Sequence, residues 1–282
     1  MKPYLDALQD ILEHGSWQDN RTGVATKMLP GIMLKFDLRE GFPAMTTKKL
    51  AFGAVKGELL GFLRGANTVK EFNDLGCKVW DANANAPAWL DSEYMKTHNA
   101  GDLGRIYGVQ WRDWITSDGG KFDQIANLIE QIKTNPTSRR LVVSAWRPDE
   151  MKQMALPPCH YSFQVIIEQS TNTMHLLWNQ RSCDFFLGIP FNIASYALLL
   201  EILARITGYT AGTLTGFLAD AHIYENHIDQ VMEQLSRTPF SLPKLHISHK
   251  IQLGTAIESI EPKDIELVAY ECHAAIKAEM AV

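Results

Sequence analysis

The segment that most constrains the fold is a long apolar run, FNIASYALLLEILARITG at 191–208. Its spacing is helical, and apolar side chains surround nearly the whole circumference of that helix. Such a helix must be enclosed by other parts of a protein, because a solvent-facing helix keeps a polar side. Gly208 is the expected end, since glycine readily adopts the left-handed conformation that closes a helix. The run therefore predicts a central helix covered by further layers.

The segments around this helix predict a mixture of strands and helices. Helical spacing at 1–15, 54–65 and 122–136 predicts further helices, the last two ended by Gly65 and Pro136. Alternating apolar residues predict strands in GIMLKFDLREG at 31–41, RRLVVSAW, YSFQVIIEQ, MHLLWNQRS and LPKLHISHKI. The polar stretch at 80–104 predicts a long loop that holds one short helix. Since no regular βαβ alternation is present, we expect an α+β fold with one central mixed β-sheet flanked by helices.

The composition narrows the class of protein. The 282 residues, 46% hydrophobic and 21% charged, fit one large domain or two small ones with a sizeable core. The net charge of −5 disfavours DNA as a partner, because DNA-binding domains are commonly basic. No stretch approaches the roughly 18 consecutive apolar residues of a membrane span, and acidic residues in MKPYLDALQDILEHG argue against a signal peptide. Four widely spaced cysteines without a CxxC pair predict thiols in a reducing cytoplasm.

Cys159 stands at a corner of the chain, in MALPPCHYSFQV at 154–165. Two prolines precede it and a predicted strand follows it, a place where reactive groups are often displayed. A thiolate is a nucleophile, and a nearby cation favours it over the thiol. His160 is adjacent, but successive strand residues point to opposite faces, so we do not expect His160 to be its base. From these residues alone, a strand-edge cysteine without function is the simpler interpretation.

Four arginines lie on turns or at the ends of predicted strands: Arg21 in DNRTG, Arg139 and Arg140 after NPTS, and Arg181 in NQRSCD. Planar guanidinium groups suit phosphate oxygens, so this set in an acidic protein predicts a small phosphorylated ligand. Adjacent residues of an extended segment diverge, and Arg139 and Arg140 therefore need not serve one site. The alternative is that these are solvated surface arginines.

Two further polar groups stand out against apolar surroundings. Asn192 enters the apolar helix early, shortly after Arg181, Ser182 and Asp184. Its amide can donate to and accept from the edge of a heterocycle, although asparagine also simply favours helix starts. Glu58 lies in an apolar helix, where burial without a role or a partner is costly. The alternative is that Glu58 faces solvent.

The segment DAHIYENH at 220–227 brings several polar side chains together. If it is a strand, Asp220, His222 and Tyr224 share one face and can bind hydroxyl groups. His222 and His227 are five residues apart, which fits neither the HExxH spacing nor a Cys/His zinc pattern. No metal is therefore expected.

In combination the segments resemble the folate-dependent thymidylate synthase family over nearly the whole chain. The resemblance is carried, in order, by DNRTG, GFPAMTTKK, GELLGFLRG, WDAN, GDLGRIYGVQWR, PTSRR, MALPPCH, NQRSCDFFLGIPFNIASYALL, DAHIYENH and IKAEMAV. It implies the thymidylate synthase fold as a single catalytic domain over 1–282, with the sheet packed at a homodimer interface. It also implies reductive methylation of dUMP to dTMP, with 5,10-methylenetetrahydrofolate as a co-substrate that gives carbon and hydride and leaves as dihydrofolate.

The roles of single residues follow from the same resemblance. Cys159 would add to carbon 6 of the uracil ring, as in other covalent catalysis. The other implied catalytic residues are Glu58, His160 and Tyr107, in a water-linked proton-transfer network, with Asn192 and Asp184. The phosphate of dUMP would be bound by Arg21, Arg181 and Ser182, together with Arg139 and Arg140 from the partner subunit. Asn192 would bind the uracil, and His222 and Tyr224 would bind the ribose hydroxyl. Asp184 is also implied as a dUMP-binding residue. At the folate, the implied residues are Trp80, Asp184, Leu187, Gly188, Phe191 and Ala281. The C-terminal residues would close over the ligands and exclude water.

Two positions depart from the family pattern. Asn83 stands where many members have a second tryptophan, three residues after Trp80, and Glu279 stands where the family usually has proline. These departures predict weaker folate binding and looser closure of the tail, not a different core chemistry.

Three alternatives remain open from the sequence. A hydroxymethylase of the same fold would form the same adduct and then add water instead of hydride, and Asn192 does not by itself exclude a deoxyuridylate hydroxymethylase. A non-enzymatic RNA-binding regulator on this fold is disfavoured by the acidic charge, although weak RNA binding is left open. A cysteine hydrolase needs a base and an orienting partner aimed at Cys159, and the sequence gives no local sign of either.

Overall fold

The computed structural model describes residues 1–20 and 22–279. The helices are α1 (Lys2–His14), α2 (Phe52–Arg64), α3 (Val69–Asp74), α4 (Asp81–Ala84), α5 (Pro87–Leu90), α6 (Tyr107–Arg112), α7 (Gln124–Thr134), α8 (Gly188–Thr207) and α9 (Ile228–Leu235). The strands are β1 (Ser16–Gln18), β2 (Thr26–Asp37), β3 (Trp114–Ile115), β4 (Lys121–Phe122), β5 (Val142–Ser144), β6 (His160–Glu168), β7 (Thr173–Asp184), β8 (Thr210–Tyr224), β9 (Lys244–Ile247) and β10 (Ile265–Val268).

The main sheet of the described chain has six strands in the order β1-β2-β8-β7-β6-β5. β7 and β8 run parallel, whereas the other neighbouring pairs run antiparallel. The predicted α+β fold with a central mixed sheet is thereby confirmed. Because β6 runs against β7 while β8 runs with it, the start of β6 and the ends of β7 and β8 meet at one end of the sheet. This end carries the candidate site.

The central helix α8 begins at Gly188, earlier than the predicted 191, and ends at Gly208, whose φ of 84° is left-handed. It packs against β7, β8 and α2. Within the sheet, Trp178 on β7 is paired with Gly216 on β8. A Cβ atom on residue 216 would lie 2.3 Å from the Trp178 ring, so glycine is what lets the indole cover this strand.

By length and composition, α8 could also cross a membrane. However, 78% of its most apolar window is buried inside the protein. A core helix passes the same test of length and hydropathy, and the packing of α8 is that of a core helix.

The prediction of one short helix in 80–104 is wrong. The segment holds two short helices, α4 and α5, and a 3₁₀ turn at Met95–Thr97. Trp89 is buried there and donates its indole N–H to the Asp102 carbonyl at 2.8 Å. An apolar anchor thus orders a stretch that is otherwise polar.

Several strands differ from their predicted bounds, and β5 and β9 are shorter than the predicted RRLVVSAW and LPKLHISHKI. β2 begins at Thr26 and ends at Asp37, before a 3₁₀ turn, and it continues through Pro30. Proline is tolerated because β1 pairs only with the first residues of β2, which leaves one side of β2 open at Pro30. A strand is one interpretation of the segment 220–224, and the structure places it at the end of β8, which begins at Thr210. Small residues such as Ala211 and Gly212 weaken the apolar alternation there.

Ala269, just after β10, has a left-handed backbone with φ of 56°. A Cβ in this region costs about 1–2 kcal/mol, whereas glycine costs about 0.5–1 kcal/mol in chain entropy. We therefore expect Ala269→Gly to raise the free energy of unfolding by roughly 0.5 kcal/mol, seen as a higher urea midpoint at unchanged slope. The control is Ala256→Gly, because Ala256 is exposed and has φ of −65°; here glycine should lower the midpoint. A lower midpoint for both variants would contradict strain at Ala269.

Candidate active site

Four segments converge at the end of the sheet where β6 begins. Cys159 immediately precedes β6, residues 181–184 end β7, residues 222–224 end β8, and α8 starts just after β7. In the register of the sheet, His160 is opposite Gln180, and Asp184 is opposite His222. The strand directions therefore bring together polar groups that are far apart in sequence.

Hydrogen bonds hold the corner at Cys159. Its N–H donates to the Tyr107 hydroxyl at 2.8 Å, and its carbonyl accepts from the Arg181 N–H at 2.9 Å. The Arg181 guanidinium donates to the carbonyls of Pro158 and Pro157 at 2.9 and 3.1 Å. The carbonyls of the two prolines thus accept the hydrogen bonds that hold the Arg181 guanidinium, which is always charged, beside the corner. A cation in such a place favours a thiolate.

His160 is buried among aromatic rings. It stacks on Tyr107 with ring centroids 4.3 Å apart, and its Nδ1 lies 2.8 Å from the Tyr196 hydroxyl. Burial lowers the pKa of His160 from its ordinary value to about 3, because desolvation penalises the imidazolium. His160 is therefore a neutral ring at physiological pH, which can relay a proton but cannot act as a cation.

Glu58 is also buried, with only 7% of its surface exposed, so it does not face solvent. One carboxylate oxygen accepts a hydrogen bond from the Trp80 indole N–H at 3.0 Å. Burial raises the pKa of Glu58 to about 8, and the bond from Trp80 opposes this rise. A carboxyl group that titrates near neutral pH can both take and give a proton during a reaction.

A chain of hydrogen bonds orients the amide of Asn192. The Trp178 indole N–H donates to Gln180 Oε1 at 3.2 Å, and Gln180 Nε2 donates to Asn192 Oδ1 at 3.1 Å. Because an indole N–H can only donate, it determines which end of each amide is the acceptor. Asn192 Oδ1 is thus turned toward Gln180, and its NH₂ group points elsewhere.

Asp184 shapes the turn that leads into α8. Its Oδ1 accepts from the N–H groups of Phe186 and Leu187 at 3.0 and 3.1 Å. Gly188 lies between Asp184 and Asn192, since a Cβ at this position would lie 3.5 Å from Asp184 Cβ and 3.9 Å from Asn192 Oδ1. The first turn of α8 is therefore closely packed between these two polar residues.

A cavity of about 160 Å³ opens between this turn and the C-terminal segment. Its lining includes Leu187, Pro190, Phe191, Ile276 and Lys48. Leu187 and Phe191, two of the residues implied for the folate, both line this cavity. Trp80 does not line this cavity and is buried against Glu58 instead.

Lys48 and Lys49 both line this cavity, and Lys48 is the buried one. Its ammonium group donates to the Phe186 carbonyl and lies 3.4 Å from the centroid of the Phe186 ring. Burial lowers the pKa of Lys48 to about 7, against an opposing effect of Asp184. An anionic ligand would restore full protonation, because a nearby negative charge favours the ammonium form.

His222 and Tyr224 are two residues apart on β8 and therefore lie on the same face, with ring centroids 5.2 Å apart. His222 Nδ1 lies 2.9 Å from an Asp220 carboxylate oxygen, which fixes the ring. Within residues 1–20 and 22–279, no group of three or more His, Cys, Asp or Glu side chains is placed to hold a metal ion.

Arg139 and Arg140 lie just before β5, the edge strand that pairs with β6. Both are exposed. Within the described residues, their backbone atoms form two hydrogen bonds with side chains. The Arg139 carbonyl accepts from Gln164 at 3.1 Å, and the Arg140 N–H donates to Ser138 Oγ at 3.1 Å. In the part of the chain that the structure describes, neither guanidinium group is hydrogen-bonded to the corner at Cys159.

The C-terminal segment from 270 to 279 lies against the body of the protein. The Arg237 guanidinium donates to the carbonyls of Thr47 and Ala274 at 2.8 and 2.7 Å. The His273 N–H donates to the Thr46 carbonyl at 2.9 Å. At the far end, His227 Nε2 lies 2.7 Å from the Glu279 carbonyl. The acceptor of this bond is the backbone carbonyl of residue 279. The bond therefore does not depend on whether that residue is glutamate, as here, or proline, as is usual in the family.

Two predicted site residues, Arg21 and Ala281, lie outside the described residues. Four residues that the sequence analysis gave no site role contact site residues or the tail: Lys48, Gln180, Tyr196 and His227. All four lie within the quoted motifs, but the motifs do not show these contacts. Tyr196 could have been predicted as a neighbour of the site, because it follows Asn192 by one helical turn and lies on the same side of the helix.

Comparison with known proteins decides the family. The family model described as thymidylate synthase matches residues 2–282. The chain belongs to the thymidylate synthase family. Thymidylate synthases of Pseudomonas putida and Pseudomonas syringae pv. tomato are 42% and 41% identical to it over alignments of 325 residues, which cover 100% of both chains in each case. The mixed sheet and its flanking helices agree with membership of this family.

Proposed function

We propose that this site converts dUMP to dTMP by reductive methylation, with 5,10-methylenetetrahydrofolate as co-substrate and Cys159 as nucleophile. The observation that carries the proposal is the fixed corner that holds Cys159 beside the Arg181 guanidinium. This corner supplies a nucleophile and a cation at the point where the sheet gathers its polar groups. The chain is thus a methyltransferase of its family.

The arginines bind the phosphate of dUMP. Arg181 and Arg21 approach from the same subunit with Ser182, and the partner subunit's Arg139 and Arg140 complete the set. Guanidinium groups bind phosphate through two parallel hydrogen bonds, which fixes the nucleotide as well as attracting it. His222 and Tyr224 bind the ribose hydroxyl, which is supported by their shared face on β8.

Asn192 and Cys159 act on the uracil ring. The NH₂ group of Asn192 donates to the carbonyl at carbon 4, because Oδ1 is turned toward Gln180. The Cys159 thiolate adds to carbon 6, which leaves carbon 5 as a nucleophile with negative charge shared by the carbonyl oxygen. Donors placed at that oxygen stabilise the charge as it develops. Cys159 leaves again at the end of the reaction.

Glu58, His160 and Tyr107 move the protons. Glu58 titrates near pH 8 and His160 is neutral, so the pair can pass a proton without forming a buried imidazolium. The removal of the proton at carbon 5 is assigned to this network. Tyr107 connects it to the corner through its bond with the Cys159 N–H.

We assign part of the folate to the cavity between α8 and the C-terminal segment. Leu187, Phe191 and Ile276 offer apolar walls to its rings, and Lys48 offers a cation to its carboxylates. When bound, methylenetetrahydrofolate supplies the one-carbon unit and the hydride and is released as dihydrofolate. Asp184 orients the turn that bears Leu187.

The test is an absorbance assay for dihydrofolate, with methylenetetrahydrofolate and either dUMP or dCMP. Dihydrofolate formed with dUMP alone supports the proposal. Substrate consumption without dihydrofolate would instead indicate the hydroxymethylase, since that reaction releases tetrahydrofolate. The hydroxymethylase is not favoured by the family match, and no turnover with either nucleotide would contradict both activities.

Replacing the amide of Asn192 should change the preferred base. We expect Asn192→Asp to lower kcat/KM for dUMP by about 5- to 150-fold, since a carboxylate cannot donate to the uracil carbonyl, and an acceptor left without its bond costs about 1–3 kcal/mol. The same variant should gain activity on dCMP, whose amino group donates to a carboxylate. The control is Asn127→Asp, on the exposed face of α7, which should change neither activity. An unchanged dUMP to dCMP ratio in Asn192→Asp would contradict the role of Asn192.

A homodimer is proposed from the open face of the sheet. Met33 and Phe217 are direct partners on neighbouring strands and are both exposed. Ile166 and Val142 are exposed on the same face, as the strand register places them. Several exposed apolar side chains on one face of a sheet are typical of an interface. A second copy suits it because Arg139 and Arg140 at its edge would then reach the partner's site.

Disrupting this face should remove both the dimer and the activity. We expect Phe217→Asp to sediment as a monomer and to lose about 100-fold or more in kcat/KM for dUMP, because hydrogen bonds to charged groups contribute about 1.5–3 kcal/mol each. The control is Phe122→Asp, an exposed phenylalanine outside the main sheet, which should stay dimeric and active. A fully active monomer would contradict the shared site.

We propose a single catalytic domain over 1–282 and a cytoplasmic location. One cluster of buried hydrophobic residues extends from Tyr4 to Ile265, which supports a single domain. Cys77, Cys183 and Cys272 are thiols rather than disulfides, which suits a reducing compartment. RNA binding gains no support from a net charge of −5.

A further inference from the structure

The folate-side cavity has one wall that belongs to the C-terminal segment. Ile276 lines the cavity, and the segment continues past it to Glu279. Any group that holds residue 279 therefore also holds this wall. His227 is such a group, and it takes no part in the proposed chemistry.

His227 is completely buried, yet its hydrogen bonding is directed at the tail. Its Nε2 lies 2.7 Å from the Glu279 carbonyl. A carbonyl can only accept, so Nε2 must carry the proton. Nδ1 is buried and has no hydrogen-bond partner within the described residues. Within the described residues, the one hydrogen bond found for the ring is therefore to the C-terminal segment, and none is made to the surrounding core.

The position of His227 links the tail to both halves of the site. Its ring lies 5.4 Å from that of Phe186, in the turn between Asp184 and α8, and 5.7 Å from that of Tyr224, at the end of β8. A buried imidazole with a single bond is costly in such apolar surroundings. The bond to Glu279 is what offsets that cost, and it exists only when the tail is in place.

We propose that His227 is a positioning residue that anchors the C-terminal segment through its Nε2–H and thereby completes the folate-side wall. The consequence for catalysis rests on the proposed function. The anchoring itself does not, because it is a contact between His227 and the tail. Glu279 takes part through its carbonyl alone.

Three substitutions at His227 separate the anchor from simple packing. His227→Gln places an amide NH₂ near the position of Nε2, His227→Asn places one near Nδ1, and His227→Leu removes the donor. Losing one hydrogen bond corresponds to about 5- to 10-fold in affinity. We expect His227→Leu and His227→Asn to raise KM for methylenetetrahydrofolate by this factor with KM for dUMP little changed, and His227→Gln to restore it.

A second readout does not require turnover. Lys277 lies in the segment, so its accessibility to trypsin reports whether the tail is anchored. Cleavage after Lys277, followed by mass spectrometry, should be faster in His227→Leu and His227→Asn than in the wild-type protein or His227→Gln. Glu279→Pro, which keeps the carbonyl, should match the wild type. The matched control is His246→Leu, at an exposed position on β9, which should change neither readout.

The outcomes distinguish the anchor from the activity. Equal tail protection in all variants would overturn the proposal, as would a loss in His227→Gln as large as in His227→Leu. If the wild-type protein shows no turnover, the proposed function fails, while the protection assay still decides whether His227 anchors the tail. Circular dichroism spectra and urea midpoints establish that each variant is folded before either assay.

Discussion

Cys159→Ala is expected to abolish dTMP formation, with a loss of about 10⁴-fold or more in kcat. The reaction requires a covalent bond to carbon 6 of uracil, and no neighbouring group can form it once the thiol is removed. Losses of a nucleophile that acts as part of a unit are typically this large. Binding should persist, because the arginines and Asn192 are untouched, so dUMP affinity by calorimetry should fall by less than about tenfold.

Cys183→Ala is the control for a thiol as such. Cys183 is next to the site but fully buried, and burial raises the pKa of its thiol far above the ordinary range. It therefore remains protonated and unreactive at neutral pH. We expect its kcat to stay within the same order of magnitude as that of the wild type. Residual dTMP formation by Cys159→Ala at a tenth of the wild-type rate would contradict covalent catalysis at this residue.

Glu58→Gln is expected to lose activity and gain stability at the same time. A positioned proton donor and acceptor contributes about 10²- to 10⁴-fold to rate, and glutamine cannot exchange the proton. The bond from Trp80 can persist, since the glutamine Oε1 still accepts. The measurement is kcat for dUMP methylation together with urea unfolding of the same samples.

The stability of the wild-type protein should fall as pH rises, because burial raises the pKa of Glu58 from 4.5 to about 8. Below pH 4.5 both folded and unfolded chains hold this proton. Between pH 4.5 and 8 only the folded chain holds it, so the unfolded chain gains from ionisation. At pH 7 this amounts to about 3 kcal/mol. Glu58→Gln should therefore be more stable than the wild type by about 1–3 kcal/mol at pH 7, and the difference should vanish toward pH 4.5.

Glu13→Gln on the exposed side of α1 provides the matched control. It removes a carboxylate of the same kind that is solvated in the folded protein, so neither kcat nor the pH dependence of stability should change by a comparable amount. A stability gain in Glu58→Gln that is independent of pH would contradict a buried, proton-holding carboxyl group. A fully active Glu58→Gln would contradict its catalytic role.

The elements with a strong apolar period can be predicted from sequence. The run at 191–208 requires a covered helix, and α8 is that helix. The alternation in YSFQVIIEQ predicts β6 correctly. The failures are local: Trp89 orders two short helices in a polar stretch through a single indole bond, and small residues hide the first half of β8. Single anchors and small residues leave little trace in hydropathy patterns.

The residues of the candidate site also differ in whether the sequence or only the fold reveals them. Cys159, Arg181 and Asn192 can be proposed as site residues from sequence, because their motifs together carry the family resemblance. Gln180, Tyr196 and His227 act through their contacts, which depend on where β6, β7 and α8 meet. Burial also cannot be read from a motif, because the packing of α2 decides whether Glu58 faces solvent or Trp80.

The most direct test of covalent catalysis at Cys159 is the mass of the complex formed with 5-fluoro-dUMP and methylenetetrahydrofolate. Fluorine at carbon 5 cannot leave as a cation, so the reaction should stop after the carbon 6 adduct and the transfer of the one-carbon unit. We expect the protein to gain the mass of both ligands, only when both are present, and peptide mapping to place the adduct on Cys159. An adduct on another cysteine, or none at all while dUMP is turned over, would contradict the assignment of Cys159 as nucleophile.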